Sequence, residues 1–324
     1  MSGIGYTGFN FDANANLIGL DAAVKTYFRK QLTAAEADYR SKAETKKRPT
    51  IDILCDEGGG ANGKMEYVLP TLEADLKDIS DGMIPEYTPE AASIRSEATP
   101  NGVIVSIYEY QLDDDMYGIL AKSLDMLAGK VARWKWKNIG KSLIKGFTTA
   151  TIDGRNYFAN NHFVNLKDSG AGTFSNLETL ALTDDNYADV AASFTVIPQE
   201  DGEPIADNVH NILVVGPANA KLGQKIVYEP NLFGGASNPN EGTAELIVVP
   251  ELATVEGGAY VNMWALFKTD AFGVKPLIWN QRMAPRITPI EPRTTAKGRQ
   301  YRWLVDARAS LAFYEPRLGF ASNP

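Results

Sequence analysis

Gly58, Gly63 and Lys64 satisfy the glycine-x4-glycine-lysine spacing of a phosphate loop, and the apolar run IDILC (51–55) stands where a leading strand belongs. Such a loop cradles phosphates with backbone amides, sets its lysine on the terminal phosphates and follows it with a hydroxyl for magnesium. Here the next residue is Met65, and Pro70 falls inside the helix that should follow. No apolar strand ending in an aspartate offers a second metal ligand. Nucleotide hydrolysis lacks its parts, and a flexible glycine loop fits these residues better.

His162 and His210 are the two histidines of the chain. His162 has the chemistry of a catalytic base, yet no serine or cysteine nucleophile is placed for it, so it reads as a structural histidine. With one cysteine, Cys55, there is neither an internal disulfide nor a cysteine-based zinc site. No catalytic, cofactor-binding or metal-binding residue is assigned, and the chain does not read as an enzyme. One charged feature remains: Arg133, Lys137, Lys141 and Lys145 recur every four residues. A row of this kind can neutralise phosphates. It can equally be a solvated helix face, or pair with acids of a neighbour.

The row lies in residues 112–147, which contain no proline. As one helix of about 35 residues, this stretch would extend about 50 Å, long enough to span or lie along something large. Asp113, Asp114 and Asp115 suit a helix start. Met116, Leu120, Leu124, Leu127, Val131 and Trp134 form one face, after which the stripe moves to Trp136, Ile139, Leu143 and Phe147. The shift predicts a bend or a change of packing partner between Trp134 and Gly140; two helices broken near Gly140 are the alternative.

With 324 residues, 44% hydrophobic content and a formal charge of −8, the chain can bury a large core and is not built as a whole to coat nucleic acid. No basic segment precedes an apolar core at the start, so no signal peptide is expected. No apolar run approaches the ~20 residues a membrane helix needs, and a soluble intracellular product is expected. Residues 1–20 read as an arm. A charged helix over 21–46, capped by Asp21, carries only a narrow stripe of Val24, Phe28, Leu32, Ala35 and Tyr39 and should rest on another element or subunit.

The clearest strand, GVIVSIYEYQL (102–112), together with the polar TPEAASIRSEA before it, predicts a long two-stranded excursion that needs a partner surface. Tyr157, Phe158 and Phe163 are core candidates. A helix is expected within 177–192, broken or capped at Thr183 or Asp184. Buried strands are expected within 211–220, 244–252 and 262–270, with a helix through KLGQKIVYE, so 177–270 reads as a compact α/β unit. The tail alternates like paired strands around a Gly298 turn. Its dispersed arginines, Arg299, Arg302, Arg308 and Arg317, read as a solvated sheet face or intersubunit ion pairs.

This order of parts resembles the major head subunits of Mu-like phages and prophages, which share the tailed-phage capsid fold of the Hong Kong 97 type. The resemblance is carried by IYEYQLDDDMYGILAKSLDMLAGKVARWKWK, DGRNYFANNHF, NILVVGPANAKLGQKI with NEGTAELIVVPEL, and MWALFKTDAFGVKPLIWNQRMAPRI. These segments cover roughly residues 66–320. They are packing patterns whose order and spacing, rather than any single motif, make the match.

The resemblance implies an α+β fold with an N-terminal arm and helix (1–65), an extended loop (66–111) and a peripheral domain holding a spine helix (112–176). It further implies an α/β axial domain (177–270) and C-terminal strands of the peripheral domain (271–324). It implies a structural protein of the virion, assembled in the bacterial cytoplasm as hexamers and pentamers of an icosahedral shell around double-stranded DNA. Portal, scaffold and decoration proteins are implied partners. No internal scaffold domain and no N-terminal cleavage are expected. A nanocompartment of the same fold enclosing a cargo enzyme is the second reading; a nucleotide hydrolase using residues 58–64 is the third.

Overall fold

The computed structural model describes residues 17–45, 49–58, 64–70, 91–114, 118–166, 168, 170–205, 207–231, 235–269 and 274–324. In chain order, α1 is Leu17–Thr45, β1 is Cys55–Gly58, β2 is Lys64–Pro70, β3 is Ala91–Glu97 and β4 is Thr99–Tyr108. Three helices follow: α2 (Glu109–Asp113), α3 (Ile119–Ala132) and α4 (Trp134–Ser142), the last continued by a 3-10 turn at Leu143–Phe147. Then come β5 (His162–Phe163), β6 (Thr173–Phe174), β7 (Leu177–Glu178), α5 (Asp184–Thr195), β8 (Ile212–Val215), α6 (Ala220–Tyr228), β9 (Glu245–Val248) and β10 (Trp264–Phe267). The chain closes with β11 (Leu277–Thr295), β12 (Gly298–Phe313) and β13 (Gly319–Ser322).

Two compact units divide the chain. The first draws on Met1–Lys46, Ala98–Lys135 and Gln281–Ala309. Its core joins Leu20, Val24 and Phe28 of α1 to Leu120, Leu124 and Ala128 of α3 and to Ile107, Tyr301, Trp303 and Val305 of the strands. The thin stripe of α1 thus suffices because another helix and a sheet cover it. β12 alternates strictly, with Tyr301, Trp303, Val305, Ala307 and Ala309 buried, the period-two pattern of a sheet with one covered face. Asp21 does not cap α1, which begins four residues earlier; its carboxylate instead accepts a 2.9 Å hydrogen bond from the indole of Trp303.

β4 pairs antiparallel with β12, Thr99 opposite Ala309 through Tyr108 opposite Gln300. This corrects the expected pairing of 102–112 with the polar stretch before it. That stretch forms β3, which pairs with β2 instead, Glu97 opposite Lys64 and Ala91 opposite Pro70. Residues 71–90 of the expected extended loop, and most of the expected arm, lie outside the described residues. So does Asp115 at the expected helix start.

The second unit draws on Lys47–Glu97, Trp136–Asn280 and Ser310–Pro324. A five-stranded sheet runs β7-β13-β10-β8-β9, with β8 and β9 parallel and β10 antiparallel to both β8 and β13. β8 and β10 are buried at every position and read as continuous apolar runs for that reason. Helices α5 and α6 supply Tyr187, Val190, Phe194, Ile226 and Val227 to the same core. Thr183 caps α5, its hydroxyl accepting from the Asn186 amide at 3.1 Å. The tail contributes β13 to this sheet, a strand that the sequence reading left with residues 271–324.

The stretch 112–147 is not one helix. α3 ends at Arg133 (φ −90°, ψ 0°), one residue before the expected bend and well short of Gly140. The change of stripe coincides with that break. Leu120 and Leu124 belong to the core of the first unit, whereas Trp136, Ile139, Leu143 and Ile144 are buried in the second. Gly140 is a packing position inside α4: a Cβ there would stand 2.8 Å from Val249.

Candidate functional site

The segment DGRNYFANNHF folds into a loop stitched by polar contacts rather than by secondary structure. Asp153 opens it. Its Oδ1 accepts from the Thr151 hydroxyl at 2.6 Å and from the Arg155 amide at 2.9 Å, a turn that Gly154 completes at φ +71°. His162 Nδ1 lies 2.6 Å from Asp153 Oδ2, and Nε2 lies 3.2 Å from the carbonyl oxygen of Tyr157. A carbonyl only accepts, so Nε2 carries a hydrogen. Burial alone would raise the Asp153 carboxyl, but the hydrogen bonds from His162, Thr151 and Arg155 outweigh it and bring the pKa down to about 2. His162 is buried, stacked on Phe174 and engaged at both nitrogens. Neither nitrogen is available as a base.

Asn176 ties this loop to the C-terminal tail. Its amide nitrogen faces the carbonyls of Tyr157 (2.7 Å), Pro316 (2.9 Å) and Gly319 (3.1 Å), and its Oδ1 accepts from the Ala159 amide at 2.8 Å. Nearby, the Tyr157 hydroxyl donates to the Glu315 carbonyl at 3.1 Å. Burial, with Glu315 second, holds that phenol well above its ordinary pKa, so it stays a donor.

Arg317 is not on a solvated sheet face. It is buried, pairs with Glu315 at 3.2 Å, donates to the carbonyls of Pro198 (3.0 Å) and Val164 (2.9 Å), and lies over the Phe174 ring. A buried guanidinium is tolerable only with its donors satisfied, and these partners do that. Of the other tail arginines, Arg299 and Arg308 are exposed, as expected.

A second buried cluster links α5 to the sheet. The Thr243 hydroxyl donates to Asn240 O at 2.8 Å, so Tyr187 donates to Thr243 (2.7 Å) and accepts from His210 Nε2 (2.7 Å). Burial pulls the His210 pKa down to about 4. Its Nδ1 has no partner among the described residues.

Apart from His210 Nδ1 the polar groups of both clusters face structural partners, and among the described residues no serine or cysteine is hydrogen-bonded to either histidine. Among the described residues no group of three His, Cys, Asp or Glu is placed to hold a metal ion. Cys55 is buried in β1 and forms no disulfide. Lys64 opens the strand β2, not the helix that a phosphate loop requires; Gly58 ends β1, and Gly63 lies outside the described residues. The basic row is exposed at all four positions, Arg133 closing α3 in the first unit and Lys137, Lys141 and Lys145 following in the second. Sequence reasoning missed Asn176 and Glu315 and placed Arg317 on a solvated face or in intersubunit pairs, because polar residues in loops and tails read as surface until their partners are known.

The fold itself is that of solved capsid shells. A chain of the procapsid of bacteriophage JBD30 superposes with a TM-score of 0.51 at 16% identity, covering 94% of this chain and 75% of that chain. The capsid of cyanophage P-SCSP1u gives 0.55 at 9%, covering 85% and 88%. The capsid of a native GTA particle gives 0.52 at 11%, covering 84% and 89%. None of the curated proteins matches. The fold is therefore the α+β fold of the Hong Kong 97 type that these capsid chains share.

Within it, residues 103–181 and 178–252 match the family described as Mu-like prophage major head subunit gpT. The match covers residues 103–252, just under half of the chain, and makes that part similar to the major head subunits of this family.

Proposed function

We propose that the chain is the head subunit of a tailed double-stranded DNA phage or Mu-like prophage. Copies join as hexamers and pentamers into an icosahedral shell that encloses the genome, assembled in the bacterial cytoplasm. The family match over 103–252 carries this reading, because it runs from β4 through α3, α4 and the Asp153–Asn176 loop to β9. On this reading 1–65 is an N-terminal arm with its helix, 66–111 an extended loop and 112–176 the spine-helix part of a peripheral domain. Residues 177–270 are the axial domain and 271–324 the closing strands.

The working parts are surfaces. A shell subunit contributes contact area repeated over many copies, and no bond-making chemistry is assigned to any residue. Portal, scaffold and decoration proteins are further partners on the same reading. A nanocompartment of the same fold around a cargo enzyme is the second reading, and the fold is shared by particles other than phage heads. The virus-like particle from Pyrococcus furiosus superposes at a TM-score of 0.50 with 9% identity, over 90% of this chain and 98% of that one.

Electron microscopy of the purified protein tests both. Shells or capsomer rings are expected, with nucleic acid rather than protein inside when the particles form in the presence of the phage packaging machinery. Protein-filled shells would turn the assignment to a nanocompartment. A uniform monomer under assembly conditions would sink both.

A further inference from the structure

The chain is acidic, with a formal charge of −8, yet no Asp or Glu occurs between Met126 and Ile152. Lys130, Arg133, Lys135, Lys137, Lys141 and Lys145 all fall in that interval. Within the second unit, Lys137, Lys141 and Lys145 are exposed while Trp136, Ile139, Leu143 and Ile144 are buried. Packing of the apolar side therefore fixes the direction in which the lysines point. None of the three has an ion-pair partner among the described residues.

Lys137 and Lys141 stand about 6 Å apart along the axis of α4, and Lys145 follows in the 3-10 turn, where the rise per residue is larger. Acids three or four residues away would pair with these lysines, and this stretch has none. The approach of Glu251 to the helix is at Gly140, on the buried side.

Phe147, two residues past Lys145, lines a shallow cavity of about 370 Å³ together with Arg155, Asn156, Asn160 and Asn161. Asn156 Nδ2 donates to the carbonyl of Phe147 at 2.7 Å and ties the cavity to the helix end. The Arg155 guanidinium lies 5.2 Å from the centre of the Phe163 ring, a stacking contact that leaves N–H groups for an acceptor. The side chains of Asn160 and Asn161 have no partner among the described residues. Two lysines one turn apart on α4, a third in the 3-10 turn and the planar donors of the cavity make an exposed run of cations and donors suited to a polyanion.

We infer that Lys137, Lys141 and Lys145, with Arg155 of the cavity, form a phosphate-backbone contact for double-stranded DNA, without base readout. The inference rests on the reading of this chain as a genome-enclosing shell subunit, and it names the surface that faces the genome. Lysine favours this partner over an acidic protein surface. Its ammonium is a hydrated, mobile point charge that suits exchangeable phosphate contacts, whereas fixed carboxylates are met better by arginine forks.

The test is duplex binding by the purified full chain as a function of salt, using a short labelled duplex of random sequence. Four phosphate contacts give a slope of about −3.6 in log K against log salt, of which the three lysines carry about −2.7. The triple variant Lys137→Gln, Lys141→Gln, Lys145→Gln is expected to lose most of that slope, and Arg155→Gln to weaken binding further. Duplexes of different sequence should bind alike. An unchanged slope in the triple variant overturns the inference. So does poly-glutamate binding as tightly as the duplex, which would assign the face to an acidic protein partner. Electron microscopy of the same samples separates the two readings. Wild-type shells together with an unchanged slope sink the DNA contact alone; no shells from the wild type sink the shell reading, while the slope still decides the DNA contact.

Discussion

His210 Nε2 lies 2.7 Å from the Tyr187 hydroxyl, and its Nδ1 is buried with no partner among the described residues. The imidazole is thus held neutral, with burial lowering its pKa from 6.5 to about 4. Between these values the unfolded chain binds a proton that the folded chain does not. Stability is therefore full above pH 6.5 and is lost as pH falls toward 4. The site contributes a loss of about 3 kcal/mol across that window. Urea midpoints measured from pH 7 to 4 should fall less steeply in His210→Gln, which keeps a donor for Tyr187 but does not titrate. Parallel curves for the two proteins would refute this assignment.

Asn176 serves three carbonyls from one amide nitrogen and one N–H from its oxygen. Asn176→Asp would point a carboxylate at carbonyl oxygens in a fully buried site, with no cation among the groups it now contacts. The expected cost is about 3 kcal/mol or more, from an uncompensated buried charge. Asn176→Ala leaves the Ala159 amide without its acceptor and should cost about 1–3 kcal/mol. Denaturant midpoints rank the two. A more stable Asp variant at neutral pH would contradict the network.

The sequence made some of this legible and concealed the rest for identifiable reasons. β8 and β10 are uniform apolar runs and α5 follows a threonine cap, so local pattern sufficed for them. Strand existence was legible at 102–108, but pairing was not. Alternation says which side chains share a face, not which strand lies alongside, and β3 and β4 are separated by Ala98 alone yet pair elsewhere. The break at Arg133 carries no glycine or proline to announce it; only the change of apolar face did. Asn176 and Arg317 look like surface residues because their partners lie up to 143 and 153 residues away in the chain.

Gly319 is required for space and not for conformation. Its φ of −142° is ordinary extended backbone, but a Cβ would stand 2.7 Å from the Tyr157 hydroxyl oxygen and 2.8 Å from the Phe267 ring. Both neighbours are fully buried and cannot swing aside. Gly319→Ala should therefore destabilise by about 1–3 kcal/mol, the cost of overpacking. Gly154 makes the converse case, with φ +71° and open space around it, so alanine there costs about 1 kcal/mol of backbone strain and no clash. Thermal melts of the two variants should separate them, with the larger drop at Gly319.

The indole N–H of Trp303 donates to Asp21 at 2.9 Å, joining α1 to β12 in the first unit. Trp303 is almost fully buried, so its N–H has no water to turn to if the acceptor is removed. Asp21→Ala is expected to cost about 1–3 kcal/mol, the desolvation of an orphaned donor. Asp21→Asn keeps an acceptor oxygen and should cost less. A helix-capping role would give a different order, because asparagine caps about as well as aspartate and the residue lies in the second turn of α1, past the positions a cap can reach. The double variant Asp21→Ala, Trp303→Phe decides between them. Its loss should be smaller than the sum of the two single losses, since phenylalanine leaves no N–H to orphan. Strict additivity would show that the contact contributes nothing and that α1 is held by its apolar residues, Leu20, Val24, Tyr27 and Phe28 among them.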